Sequence, residues 1–322
     1  MSKYSVGIDV SKETLDICVY DGESRQYFQA CNDEKSFNSE ILKRLSEDLS
    51  LYHFVMEVTG IYHLRLAMYL HQRGLKVSVV NPLIIRRYSE MKLRRHKTDA
   101  SDSWLIAEYG FKEHPGEFSP KSEILDEMEQ MLKAIEDYHV MTTDVKNRLE
   151  SLKNRPRSNR KVVSLWEKQL SSLRKSVKEL EGELEALVGK HFKLEDDLLR
   201  SIPGIGKRVA TAIISMLNSF KSFESPKQVC SYLGINPTVC ESGSSVRGSG
   251  RIPKKGNRYL RKLLFLASLS AKRFNKSCAE LFDRLIHSGK AKKQALMAVA
   301  NKLIRQAFGV IKSGNQYNPD YA

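Results

Sequence analysis

The chain has 322 residues with 53 Lys/Arg against 38 Asp/Glu, a formal net charge of +15, and it is long enough for two domains because single cores stop growing at about 250–300 residues. The charge is lopsided: residues 201–322 hold 21 Lys/Arg and 5 Asp/Glu, whereas residues 1–200 hold 32 and 33. General solubility would spread such an excess evenly. Its confinement to one end points to a polyanion, since Lys and Arg that neutralise phosphates gain from counterion release.

The five cysteines (Cys18, Cys31, Cys230, Cys240 and Cys278) form no CxxC pair and have no His at metal-ligand spacing, so they read as ordinary thiols of a reducing compartment. A strand begins almost at the N-terminus without a signal peptide. The longest apolar run, LLFLASLSA, is too short to span a bilayer. These features predict a cytoplasmic protein.

Along the first 110 residues, strand and helix patterns alternate. YSVGIDV and LDICVYD are β-branched apolar runs separated by SKET, and RQYFQA extends the meander. SFNSEILKRLSEDL predicts an amphipathic helix, HFVMEV a buried strand, IYHLRLAMYLHQRG a helix, KVSVV a strand and TDASDSWLIAEYG a helix. The order βββαβαβα predicts an α/β domain with a mixed sheet.

Long helices follow from about Lys121. Val163, Trp166, Leu170, Leu173, Val177, Leu180, Leu184 and Leu187 make an unbroken a/d seam, which predicts a coiled coil. The preceding helix, from Leu125 to about Leu152, has a rougher seam, and KNRPRSNRK marks the bend between them. Both an intramolecular hairpin and a dimerisation arm fit; the regularity of the second seam favours dimerisation. Beyond SIPGIGKRVATAI come a helix near Pro226–Leu233, a serine-rich loop, and basic helices around Arg258–Phe274 and residues 290–308.

Four acids stand where an α/β sheet would gather them. Asp9 in GIDVSK and Glu57 in MEVTG interrupt apolar strands, and Asp99 and Asp102 in KTDASD open a helix on one face. Asp99 alone would read as an N-cap and Asp102 as a helix-dipole acid. The strand acids are harder to dismiss, because a lone buried carboxylate costs several kcal/mol, about that order, unless it is paired, protonated or metal-bound. Mg²⁺ or Mn²⁺ would relieve the repulsion in such a cluster and fits hard oxygen donors. Two such ions about 4 Å apart can clamp both oxygens of a phosphoryl displacement.

The loop CESGSSVRGSGRIPKKGN and the helix after it hold seven basic residues between Arg247 and Lys262 (Arg247, Arg251, Lys254, Lys255, Arg258, Arg261 and Lys262) with no acid among them. That density predicts phosphate contact. PGIG with Lys207 and Arg208 could also hold a phosphate on backbone N–H groups, though a plain interhelical turn has the same composition. Ser242, Ser244 and Ser245 are each candidate nucleophiles, but serine needs an activating partner and no His lies nearby in sequence.

GIDVSK, MEVTG, NP and KTDASDSWLIAE, in this order and spacing, resemble the RuvC-type, RNase H-like nuclease domain of insertion-sequence family one-hundred-and-ten, whose relatives include Piv-type DNA invertases. SIPGIG…YLGINP…ESGSSVRGSGRIPKKGN resembles that family's C-terminal transposase domain. The resemblance implies a DEDD tetrad at Asp9, Glu57, Asp99 and Asp102, with Ser103 standing where Ala usually follows. It implies Ser242 as nucleophile, with Ser244 and Ser245 bonding phosphate oxygens. It further implies a transposase or recombinase acting on double-stranded donor and target DNA through a covalent phosphoserine, guided by a noncoding bridge RNA. The active form would be a homo-oligomer, a dimer or tetramer, with a site composed across protomers. The domain division implied is 1–115 RuvC-like, 116–198 helical hairpin or coiled coil, and 199–322 transposase domain with a helix-hairpin-helix-like segment.

Three rival readings compete with this one. A metal-dependent nuclease or junction resolvase would use water and leave Ser242 to bind phosphate. An actin-like ATPase would need a later Gly-rich phosphate motif, which the sequence lacks. A DNA-binding scaffold would need neither Asp9 nor metal.

Overall fold

The computed structural model describes residues 2–45, 48–92, 99–237, 241–242, 246–247, 252–253 and 255–321. The chain divides into two compact units, Met1–Pro120 and Lys121–Ala322.

The first unit is α/β. β1 (Tyr4–Val10), β2 (Thr14–Tyr20) and β3 (Arg25–Cys31) form an antiparallel meander. A short α1 (Glu34–Ser36) leads through irregular turns to β4 (Tyr52–Glu57), α2 (His63–Gln72), β5 (Lys76–Val80), α3 (Pro82–Met91) and α4 (Asp99–Glu113). β4 runs parallel to β1 and β5 parallel to β4, giving the sheet order β3-β2-β1-β4-β5. A mixed five-stranded sheet in this order fits an RNase H-like domain.

Each face of the sheet is covered. Val6, Ile8, Phe54 and Met56 pack with Leu66 and Leu70 of α2 on one face, and Val55 and Val80 pack with Ile85, Leu105 and Ile106 of α3 and α4 on the other. Side chains alternate along a strand, so Ser5, Gly7 and Asp9 share the α4 face.

The amphipathic helix expected at residues 36–49 does not form as one element. α1 passes into a π-type turn at Phe37–Ile41 and a 3₁₀ turn at Leu42–Arg44. Phe37, Ile41 and Leu42 are all buried, and the wider winding lets residues four and five apart reach the core together. α3 was not expected from periodicity. Its start is nevertheless written in the sequence: Asn81 caps it by accepting from the Leu83 N–H at 2.9 Å, and Pro82 fills the first turn.

The second unit is helical: α5 (Glu123–Lys153), α6 (Arg160–His191), α7 (Lys193–Arg200), α8 (Lys207–Leu217), α9 (Pro226–Leu233), a two-residue pair β6 (Glu241–Ser242) and β7 (Val246–Arg247), α10 (Arg258–Phe274), α11 (Lys276–His287) and α12 (Lys292–Ser313). α5 and α6 pack antiparallel. Leu173 clusters with Val145 and Leu149, the Lys153 ammonium lies 2.7 Å from Glu167, and Leu184 and Val188 join the core that holds Leu125 and Met128. The seam expected to favour dimerisation is therefore closed within the chain. The physical reason is the short turn after Lys153, which returns α6 along the apolar stripe of α5.

α12 is the axis of the remaining helices, with Val299, Ala300, Leu303, Ile304 and Ala307 fully buried. Among the described residues no helix is long and apolar enough to cross a membrane.

Candidate active site

Asp9 and Glu57 end adjacent parallel strands. The β1–β4 register runs through Ile8↔Met56, so the next position on each strand is a carboxylate, and both are half-buried. Ligand sites of open α/β sheets lie outside such strand ends. Asp9 also stands directly opposite Asp16 of β2. Like charges opposite each other in an antiparallel pair are unfavourable; Gln29 offsets part of this by donating its Nε2–H to Asp16 Oδ1 at 2.6 Å.

α4 lies on this face at unusually close range. A Cβ on Gly7 would fall 2.2 Å from both Ser103 O and Ala107 N, and one on Gly110 would fall 2.5 Å from Ser5 Oγ and Val55 Cγ2. Gly110 thus sits over Ser5, and Ser103 and Ala107 over Gly7, so α4 runs antiparallel to β1. From Ser5 to Asp9 the strand advances about 13 Å, and from Gly110 back to Asp102 the helix advances about 12 Å. The start of α4, where Asp99 and Asp102 stand, therefore comes over the end of β1 that carries Asp9. Ser103 is fully buried at the contact, so a small residue is required after Asp102.

The position of α4 is held by a buried charge cluster. The Glu108 side chain is 8% exposed and accepts from Lys112 Nζ at 2.7 Å and Lys92 Nζ at 3.0 Å. Burial alone would raise the Glu108 pKa, but the two ammonium groups together hold it below the usual carboxylate range. Lys92 caps α3, so this pair ties the end of α3 to the body of α4, on either side of residues 93–98.

In the second unit, Ser242 ends β6, and its backbone pairs with Val246 of β7. The expected contacts Ser244, Ser245, Arg251 and Lys254 lie outside the described residues. Arg247 is placed in β7 opposite Glu241, and Lys255 and Arg258 are exposed. The two ends of the loop are stapled. A Cβ on Gly234 would fall 2.2 Å from Lys255 O, and one on Gly256, at φ +96°, would fall 2.5 Å from the Leu233 carbonyl. Arg261 Nη1 donates to Lys255 O and to Pro253 O at 3.1 Å. One of the seven basic residues thus holds backbone.

The PGIG turn is used structurally as well. Gly204, at φ +108°, abuts Ala271 of α10 so closely that a Cβ would fall 2.6 Å from its methyl. Lys207 Nζ meets Glu185 at 2.5 Å, Arg208 meets Glu136 at 3.5 Å, and Lys262 pairs with the same Glu136. Both predicted phosphate contacts at this turn have acids of their own chain beside them.

Comparison with known sequences supplies the decisive observation. A family model described as "Transposase", of the DEDD type named for IS110, matches residues 6–153, and one described as "Transposase IS116/IS110/IS902 family" matches residues 196–283. The chain belongs to the IS110 family of transposases. It is an enzyme that recombines DNA. The transposase is 29% identical over 323 residues to a pilin gene-inverting protein of Moraxella lacunata, covering 99% of this chain and 98% of that one. The pilin gene-inverting protein of Moraxella bovis matches equally over the same span. An insertion element IS110 protein of Streptomyces coelicolor is 29% identical over 156 residues, 48% of this chain and 38% of that one.

Three cysteines of the transposase are buried thiols. Burial pushes the Cys18, Cys230 and Cys278 thiols up to about 11, which leaves them protonated and inert. Among the described residues no group of three or more His, Cys, Asp or Glu is closed enough to hold a metal by itself. The sequence reading missed Asp16 and Glu108, and it counted Arg261 only among the basic residues of the loop. Asp16 could have been found by folding β2 back on β1 across the short SKET turn, and Glu108 from its spacing of four from Lys112. Nothing local marked Arg261 as a staple.

Proposed function

We propose that this transposase cuts and rejoins DNA through Ser242, assisted by a Mg²⁺ or Mn²⁺ site built on Asp9, Glu57, Asp99 and Asp102. One observation carries the reading: Asp9 and Glu57 end neighbouring parallel strands on the face over which α4 begins. The donor set fits the ion, because hard carboxylate oxygens in a half-buried cluster, with Asp16 opposite Asp9, gain most from a divalent cation. When bound, the ion would neutralise charge developing on the phosphate.

The residues of the chain do the rest. Ser242 Oγ attacks phosphorus; its bond to phosphorus forms as the bond to one sugar oxygen breaks, and the freed sugar oxygen takes a proton. Rejoining reverses this with a hydroxyl from another strand. Arg247, Arg251, Lys254, Lys255 and Arg258, with the Ser244 and Ser245 hydroxyls, hold the phosphate without reading sequence. Lys207 and Arg208, at the turn entering α8, are paired with Glu185 and Glu136 and hold no phosphate in this reading.

Sequence choice is delegated to a bridge RNA in this reading, supported by the absence of a base-reading zinc finger or helix-turn-helix pattern in the sequence. Ser242 and the carboxylates lie in different compact units, which suits a homo-oligomer whose sites combine groups from two protomers. The proposed division is a RuvC-like domain at 1–115, a helical hairpin at 116–198 and a transposase domain at 199–322, acting on DNA in the cytoplasm. The full-length similarity to two pilin gene-inverting proteins supports DNA rearrangement as the outcome.

Asp9→Asn tests the metal half. It is expected to retain DNA binding and to lose Mg²⁺-dependent strand cleavage; cleavage at the wild-type rate would sink the carboxylate site.

A further inference from the structure

The cations that the sequence marked at the PGIG turn are paired with acids, so the basic excess of the second unit must act elsewhere. Residues 276–318 hold eight Lys/Arg and two Asp/Glu, and most of this segment lies beyond residue 283, where the second family match ends. Three depressions follow one another along α12. The first, about 770 Å³, is lined by Lys302, Arg305, Gln306 and the chain after α12. The second, about 360 Å³, shares Lys302 and Arg305 with it and adds Arg284 of α11. The third, about 560 Å³, shares Asn301 with the second and ends at Ile235, Pro237 and Ile252, the two roots of the serine loop.

Together they form one trough. From Gln294 to Ser313 it follows α12 for about 29 Å. Among the described residues Glu280 is the one acid in its lining, and Arg284, Lys290, Lys302 and Arg305 form no ion pair there. Arg305 is instead oriented by its neighbour, donating Nε–H to Asn301 Oδ1 at 2.8 Å, which leaves the rest of its guanidinium for an outside acceptor. Amides of Gln294, Asn301 and Gln306 add donors and acceptors along the wall.

We propose that this trough seats the phosphate backbone of a DNA duplex on its approach to the serine loop. The assignment rests on the reading of that loop as the place where DNA is cut. Charge complementarity selects the occupant: a protein partner would need an acidic stripe of matching length, whereas DNA presents a phosphate at every step. Its backbone would run across Lys302 and Arg305, and one end of the trough would deliver it to the roots of the loop.

The experiment measures binding of the full-length chain to a short fluorescent DNA duplex of unrelated sequence, by anisotropy, over a range of salt. Removing one cation from a phosphate reduces the slope of log K against log salt by about 0.9. Lys302→Gln/Arg305→Gln is expected to lower the slope by about 1.8, and Arg284→Gln by about 0.9. Arg174→Gln/Lys178→Gln on exposed positions of α6 is expected to leave it unchanged, with circular dichroism confirming each fold. Wild-type slopes in both trough variants, an equal drop in the α6 variant, or no salt-sensitive binding by wild type would overturn the proposal. A duplex RNA probe losing affinity while the DNA probe does not would also overturn it. The slope involves no strand cleavage, whereas the serine reading is tested by whether wild type forms a covalent protein–DNA adduct, so failure of the trough and failure of the serine reading are separately visible.

Discussion

Gly7 of β1 meets Ser103 of α4 so closely that a side chain at Gly7 would place its Cβ 2.2 Å from the Ser103 carbonyl oxygen. Both contacting atoms on α4 are backbone, so no side chain can swing away. Gly7→Ala must push the helix off the strand that carries Asp9. Overpacking of this kind costs about 1–3 kcal/mol, and the helix start bearing Asp99 and Asp102 moves with it. Urea denaturation should show that loss, and DNA cleavage should fall by more than the unfolded fraction explains. Wild-type stability and cleavage would refute the close contact.

Glu108 predicts a pH-dependent clamp on the same helix. Its folded pKa is depressed by Lys112 and Lys92 against the opposing effect of burial. A depressed carboxylate contributes stability that is present above its unfolded pKa and lost as pH falls through the folded value. Because both lysines are partly exposed, Glu108→Gln should cost only about 1–2 kcal/mol at pH 7. The difference from wild type should shrink as the pH is lowered below about 4. A gap that stays constant with pH would mean that packing, not charge, is what Glu108 supplies.

His53 also makes the fold lose stability on acidification, but in a higher pH window and chiefly from burial rather than from charge partners. The residue is 2% exposed, Nε2 lies 2.7 Å from Ser78 Oγ, and burial, then the charge of Lys76, push its pKa down to about 4. The unfolded chain binds a proton near pH 6.5 that the folded chain refuses, so stability falls as pH drops from 6.5 toward 4. The full loss is about 3 kcal/mol. Denaturation midpoints of His53→Gln should change less than those of wild type across that window; parallel curves would remove His53 from the account.

The α5–α6 hairpin makes a prediction about assembly. Leu184 is 6% exposed in the core shared with α5, so Leu184→Ala should destabilise the second unit by about 2–5 kcal/mol. Because the seam closes within one chain, Leu184→Ala should lower the thermal midpoint by the same amount at every protein concentration. A loss that changes with concentration would show the seam pairing between chains.

Much of the first unit could be read directly, because its strands are short apolar runs with period two and its sheet order follows from their direction. The strand acids stood out for the same reason, since Asp9 and Glu57 break runs that should be apolar. Long-range facts were less legible. Asn81 and Pro82 read as part of a motif rather than as the opening of α3, although both residues are helix-start signals. The regular seam of α6 concealed its partner, because the rougher stripe on α5 is closed by Leu125, Met128, Leu132 and Ile135 sharing a core with α8. Charge alone also misled. Lys207, Arg208 and Arg261 count as basic in the sequence, but their work inside the fold depends on Glu185, Glu136 and three backbone carbonyls brought from distant positions.

The central claim is that Ser242 forms a bond to DNA. The most direct measurement incubates the full-length protein with its RNA, Mg²⁺ and end-labelled DNA, then separates the denatured products on a gel beside Ser242→Ala and Asp9→Ala. The account predicts a protein–DNA adduct in wild type that is absent from Ser242→Ala. Cleaved DNA without any adduct, persisting in Ser242→Ala and lost in Asp9→Ala, would contradict it and identify water as the nucleophile.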